Sequence, residues 1–113
     1  MNTKILVPIS FGLLLGCASA LAAEGSVTIS SVAPKDIYSN DKITLTYAAV
    51  PGPQGDHLHL NVDGKRIDVI RQLTGTTTFG PLPPGTHHVC LAVNTKSHEP
   101  TGVERCVDVT VWQ

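Results

Sequence analysis

The chain has 113 residues, with eight Lys and Arg, nine Asp and Glu, five His and a formal net charge of −1 at pH 7. Its charges are scattered singly and form no basic stripe, which argues against nucleic acid and anionic membrane surfaces as partners. A chain of this length favours one small domain.

Residues 1–22 have the features of a cleaved export signal: Lys4, then an apolar run from Ile5 to Leu15, then small residues. The apolar run is too short for a permanent membrane span. Ala20-Leu21-Ala22 predicts cleavage after Ala22, a mature domain of residues 23–113 and a periplasmic or secreted location. Leu14-Leu15-Gly16-Cys17 resembles a lipobox, which would instead put a lipid anchor on Cys17. We favour the first site, because Leu is not the preferred residue before a lipobox Gly.

Short stretches rich in Val, Ile, Leu and Thr recur about every ten residues after the signal, separated by Pro, Gly, Asn and Asp. No segment has a helical period. This pattern predicts an all-β, immunoglobulin-like β-sandwich of about seven strands. The predicted strands are Val27 to Val32, Lys42 to Val50, His57 to Val62, Lys65 to Ile70, Thr76 to Phe79, His87 to Asn94 and Val103 to Trp112.

Asp63-Gly64 predicts a tight hairpin between the third and fourth strands, because a two-residue type I′ turn needs positive φ at both central positions. The turn sets an expected register in which apolar residues meet on one face. The expected opposing pairs are Val62 with Lys65, Leu60 with Ile67, Leu58 with Val69 and, on the other face, His59 with Asp68.

Cys90 and Cys106 form an even pair in the predicted mature domain, which indicates a disulfide in an oxidising compartment. If they face each other across an antiparallel hairpin, one face becomes apolar and the bridge lies on the other, beside His88 and Asp108. The pairs on this largely apolar face are then Val89 with Val107, Val93 with Val103 and His87 with Val109. Such a bridge joins neighbouring strands of one sheet, unlike the inter-sheet bridge of antibody domains.

All five histidines lie within the predicted mature domain. His57 and His59 are two residues apart on a strand, so both project from the same face. In an immunoglobulin-like sheet the third strand pairs antiparallel with the sixth, which brings the loop carrying His98 close to them. Three imidazoles with an open position suit Cu(II) or Zn(II). The sequence therefore predicts a metal site at His57, His59 and His98.

Three carboxylates belong to the same hypothesis. Asp56 and Glu99 are candidates for additional oxygen ligands, and Asp68 is a candidate for orienting His59 through its second ring nitrogen. His87 and His88 are expected at the far end of the sheet, capping a strand after the Pro83-Pro84-Gly85 turn.

A second interpretation stays open, because an H-x-H pair on an exposed strand is usually solvated polar surface, and Asp68 opposite His59 an ordinary cross-strand pair. The chain would then be a structural or protein-interaction module with incidental histidines and an unknown protein partner. Enzymatic function is not expected in either case. The sequence has no Gly-rich phosphate loop, no H-E-x-x-H and no nucleophile elbow.

The C-terminal half of the chain resembles a group of uncharacterised bacterial periplasmic Ig-like domains. The resemblance rests on three segments: Asp56-His57-Leu58-His59-Leu60-Asn61-Val62-Asp63-Gly64, Leu82-Pro83-Pro84-Gly85-Thr86-His87 and His98-Glu99-Pro100. They correspond to an H-x-H strand before an acidic turn, a Leu-Pro-Pro-Gly-x-His turn and a later His-x-Pro loop. The resemblance implies an exported sandwich with His57, His59, His87 and His98 at the positions of the pattern.

Overall fold

The computed structural model describes residues 25–113, which form eight β-strands. The predicted signal peptide and Cys17 lie outside the described residues. In the described range, no helix is long and apolar enough to cross a membrane. The strands are β1 (Ser26–Ala33), β2 (Ile37–Tyr38), β3 (Ile43–Val50), β4 (His57–Val62), β5 (Lys65–Ile70), β6 (Thr74–Phe79), β7 (Gly85–Asn94) and β8 (Pro100–Trp112).

The strands form a three-stranded sheet in the order β1-β3-β6 and a five-stranded sheet in the order β2-β8-β7-β4-β5. Neighbouring strands are antiparallel, except for β2, which pairs parallel with the end of β8. This architecture confirms the predicted all-β, immunoglobulin-like sandwich. The strand count is eight because the sequence pattern missed β2, whose two residues are too few to give a periodic signal.

The hydrophobic core lies between the sheets, and the five-stranded sheet contributes alternate residues of its central strands to it. Leu58 and Leu60 of β4 and Leu91 of β7 are fully buried there. Because side chains alternate along a strand, His57 and His59 lie on the outer face of this sheet. The other core residues are Val27, Ile37, Ile43, Leu45, Tyr47, Ala49, Val62, Ile70, Phe79, Val89, Val93, Val109 and Val111.

The register between β4 and β5 differs from the predicted one. Val62 lies opposite Lys65 as expected, but a bulge follows, and beyond it Leu60 lies opposite Asp68 and Leu58 opposite Ile70. The bulge absorbs one residue of β5, where Ile67 is 44% exposed, and it lets Ile70 enter the core. The predicted pairs of Leu60 with Ile67, Leu58 with Val69 and His59 with Asp68 are therefore wrong.

The hairpin of β7 and β8 agrees with the prediction over most of its length. Cys90 and Cys106 lie opposite each other and form the disulfide within one sheet, with their Cα atoms 4.0 Å apart. Val89 faces Val107, His87 faces Val109 and His88 faces Asp108, also as predicted. The pair of Val93 with Val103 is wrong, because the register shifts after Ala92 so that Asn94 faces Pro100. Pro100 is accommodated as the first residue of β8, a position where its missing N–H is tolerated.

Candidate metal centre

Two buried histidines occupy the start of β4 on the outer face of the five-stranded sheet. His57 is fully buried and His59 is 7% exposed. Their neighbours across the β4–β7 pair are Asn94 and Ala92. The small side chain of Ala92 next to His59 leaves room above the sheet for a third group.

His98 supplies that third group from the turn between β7 and β8. His98 N donates to Thr95 O at 2.9 Å, and Thr95 N donates to Glu99 O at 2.9 Å. Glu99 N also donates to Thr95 Oγ1 at 3.2 Å, which fixes the turn. His98 has a φ of 67°, a left-handed conformation that His adopts more readily than most non-Gly residues. This turn directs the His98 ring back over the sheet.

The three imidazoles converge on one point. His57 Nε2 lies 3.0 Å from His59 Nε2 and 3.2 Å from His98 Nδ1, and His59 Nε2 lies 3.1 Å from His98 Nδ1. The ring centroids are 4.5 to 5.3 Å apart. The structure thus brings together the three residues that the sequence analysis singled out as metal ligands.

The second nitrogen of His57 has a carboxylate partner. His57 Nδ1 lies 2.9 Å from Asp56 Oδ2, and Arg71 Nη1 donates to the same oxygen at 3.2 Å. The hydrogen bond from His57, with smaller contributions from Arg71 and Lys96, holds the pKa of Asp56 below its usual value. Asp56 is therefore a carboxylate near neutral pH, and it orients His57 with Nδ1 protonated and Nε2 free as a ligand.

Hydrogen bonds alone do not satisfy the three converging nitrogens. When His57 Nδ1–H donates to Asp56, the neutral ring offers one lone pair at Nε2 and no proton. If either His59 or His98 carries a proton on its converging nitrogen, that N–H can donate to one neighbouring nitrogen. If both carry one, their two N–H groups face each other without an acceptor between them. A cation in contact with three lone pairs satisfies all three nitrogens at once.

The surroundings of His59 disfavour its protonation. Burial lowers the pKa of His59 first, and electrostatic interactions with His57, Arg66 and His98 lower it further. Arg66 lies opposite Asn61 in the β4–β5 pair, on the same face as His59. A neutral His59 is the form that binds a metal ion.

The other predicted participants lie elsewhere. Asp68 lies opposite Leu60 and accepts a hydrogen bond from Val69 N at 2.8 Å, so it does not orient His59. Within residues 25–113, no hydrogen bond or ion pair joins the Glu99 side chain to the three histidines. The role expected of Asp68 is instead filled at His57 by Asp56, which the sequence analysis had considered only as a direct ligand.

Two residues near the site were missed in the sequence. Arg71 follows β5 and reaches Asp56 only because β5 pairs with β4. Asn94 lies opposite His57, is 4% exposed, and its Oδ1 has no hydrogen-bond partner among the described residues. An exposed Arg after a strand and a polar residue at a strand end give no sequence signal, although the position of Asp56 directly before the H-x-H pair was visible.

His87 and His88 lie at the opposite end of the sheet, as expected. His88 Nδ1 lies 2.7 Å from Asp108 Oδ1, and its ring is close to both cysteine sulfurs. These sulfurs are joined in the disulfide, so neither is available as a thiolate ligand. This group is not a second metal site.

His87 bridges two segments at that end. Its Nδ1 lies 2.7 Å from Asp63 Oδ2 and its Nε2 lies 2.8 Å from Pro83 O. Both partners only accept hydrogen bonds, so the charged imidazolium satisfies both contacts. The hydrogen bond to Asp63, followed by that to Pro83, raises the pKa of His87, and the same bond lowers the pKa of Asp63.

The pH dependence of this bridge is testable with His87→Gln. Because the folded pKa of His87 is raised, its stabilisation is complete below the unfolded value of about 6.5 and is lost as pH rises through the folded pKa. Because the pKa of Asp63 is lowered in the folded state, the stabilisation that its carboxylate provides is kept as pH falls to about 4. We expect urea unfolding to show a destabilised variant at about pH 6 and a smaller difference from wild type at about pH 9. A difference that stays constant over this range contradicts the assignment.

The chain matches no protein-family model and no curated protein. Among solved structures it is similar to the fibronectin(III)-like modules of Clostridium thermocellum CbhA, with a TM-score of 0.62 and 19% sequence identity. The match covers 77% of this chain and 97% of that chain. At this identity the similarity concerns the fold. The protein is thus a fibronectin-III-like β-sandwich with a cluster of three histidines on the outer face of its larger sheet.

Proposed function

We propose that this domain is an exported, non-catalytic module that binds a divalent transition metal, Cu(II) or Zn(II), through His57, His59 and His98. The observation that carries the proposal is the convergence of three imidazole nitrogens at 3.0 to 3.2 Å, one of them oriented by Asp56. The disulfide supports an oxidising compartment. The H-x-H strand and the two later histidine motifs support membership of the periplasmic Ig-like group that the sequence resembles.

The spacing of the nitrogens is compatible with both metals. An ion about 2.05 Å from each nitrogen lies about 1 Å outside the plane of the three atoms, with N–metal–N angles of about 98°. These angles fall between those of octahedral and tetrahedral coordination, with all three nitrogens on one side of the ion. Cu(II) binds nitrogen ligands more tightly than Zn(II), so we expect the higher affinity for Cu(II).

Calorimetric titration tests the proposal. The full chain is expressed with export and without a histidine tag, and the purified product is titrated with Cu(II) and with Zn(II). We expect about one ion per chain, and His59→Ala is expected to weaken binding at least about tenfold because one of three ligands is lost. His88→Ala is the matched control, since it removes an exposed imidazole at the other end of the sheet. If titration of the wild-type protein gives no heat of binding with either metal, the proposal is wrong.

The alternative is a structural or protein-interaction module, and the similarity to fibronectin(III)-like modules favours it. In that case the histidines are packing and hydrogen-bonding groups. The discriminating protein is the triple variant His57→Ala, His59→Ala, His98→Ala. A partner recovered from periplasmic extract equally by the wild type and the folded triple variant, together with absent metal binding, supports the alternative.

A further inference from the structure

The three-histidine site lies on an outer face and leaves part of the coordination sphere of a bound ion without a protein ligand. His57 and His59 rise from β4, His98 comes from the turn above them, and His98 is exposed. Three nitrogens on one side of the ion account for three of the four to six positions that Zn(II) and Cu(II) commonly fill. Because His98 is exposed while His57 and His59 are buried, we take the side of His98 as the route by which a group from solution reaches the remaining positions.

The charges around the site favour an anion there. Three neutral imidazoles do not offset the charge of a divalent ion. The carboxylate in contact with the cluster, Asp56, already bonds both His57 and Arg71 through its Oδ2. The net charge of the occupied site, with Asp56 and Arg71 paired, is therefore positive.

Two further cations border the same face. Arg66 lies opposite Asn61, on the face that carries His59, and Lys96 belongs to the turn that carries His98. Both are exposed. The carboxylates of this region, Glu99 and Glu104, are exposed as well, and in the described chain neither makes an ion pair or hydrogen bond with the three histidines. Arg66 and Lys96 thus add to the positive potential of a bound ion at their own positions, while Glu99 and Glu104 bring the net formal charge of these four exposed side chains to zero.

We propose that the metal ion at this site takes a small anionic ligand, a carboxylate or oxyanion, in its open position, and that Arg66 and Lys96 raise its affinity for that anion. This inference rests on the proposed metal binding and adds the chemical class of the exogenous ligand. It also predicts that each of the two cations has opposite effects on the two binding steps, because each attracts the anion and repels the metal ion.

Azide is the probe, because it coordinates Cu(II) as a small anion and gives an azide-to-copper charge-transfer band. The Cu(II)-loaded full-chain product is titrated with sodium azide, and sodium perchlorate at equal ionic strength controls for salt. We expect a saturable band. Arg66→Gln and Lys96→Gln should each weaken azide binding by about threefold. Lys42→Gln, which removes a cation next to β3 of the other sheet, is the matched control and should leave it unchanged.

A second measurement separates this effect from a structural defect. Arg66→Gln and Lys96→Gln are expected to bind Cu(II) as tightly as wild type or more tightly, which a damaged site would not do. Copper retained without an azide band would overturn the open position and leave the proposed function standing. Equal azide affinity in all three variants would overturn the role of the two cations. Absence of copper binding would remove the proposed function and this inference together.

Discussion

Replacing both Cys90 and Cys106 with alanine is expected to lower the free energy of unfolding by about 3 kcal/mol. The bridge joins residues 16 positions apart in sequence, so it restricts the unfolded chain over a short loop. Small domains are stable by only about 5 to 15 kcal/mol, which makes this a large fraction of the total. Chemical denaturation of the purified variant and wild type, both under non-reducing conditions, measures the difference.

The same variant has a second expected effect, on metal binding. The covalent ring closed by Cys90 and Cys106 contains His98 and its turn. Without the bridge, ordering that turn costs more upon binding, so Cu(II) affinity is expected to fall roughly three- to tenfold. For the unfolding measurement, wild type with the bridge reduced, kept without oxygen and without copper, is the control for the substitutions themselves. Unchanged stability and unchanged copper affinity would contradict the structural role of the bridge.

The sequence predicted the positions of the three histidines because two regular features of β-structure, side-chain alternation and antiparallel strand pairing, determine them. The two-residue repeat of a strand puts His57 and His59 on one face. The antiparallel pairing of β4 with β7 then brings the end of β7, and the turn that carries His98, back to the start of β4. The Asp63-Gly64 turn likewise determined the pairing next to it in the β4–β5 hairpin, and the disulfide determined the pairing of β7 with β8 from Gly85 to Ala92, away from the turn.

The features that the sequence did not predict are departures from regular pairing. Alternation of apolar residues along β5 gave no sign of the bulge, because Ile67 and Ile70 are equally apolar although Ile67 is exposed and Ile70 buried. The bulge shifted Asp68 by one position and removed it from His59. Likewise, Arg71 contacts Asp56 through tertiary packing, which local spacing does not encode. Pattern reasoning therefore found the ligand residues and missed their supporting groups.

Metal binding is expected to raise the midpoint of thermal unfolding strongly, because His98 is far in sequence from His57 and His59 and the three side chains converge only in the folded state. At a free metal concentration of about 100 times the Kd, binding to the folded state alone adds about 2.7 kcal/mol. For a domain of this size that corresponds to a shift of about 10 to 20 °C. Differential scanning calorimetry of the full-chain product with and without Cu(II) measures it.

Two variants make the thermal experiment specific to the site. His59→Ala is expected to abolish most of the shift at the same metal concentration, while His88→Ala should keep it, because its exposed imidazole bonds Asp108 at the other end of the sheet. Both variants keep the same number of histidines, so weak binding to the unfolded chain is matched between them. Equal shifts of the unfolding midpoint in the two variants would mean that the stabilising ion does not bind at the outer face of β4. The assignment of His59 as a ligand would then be wrong.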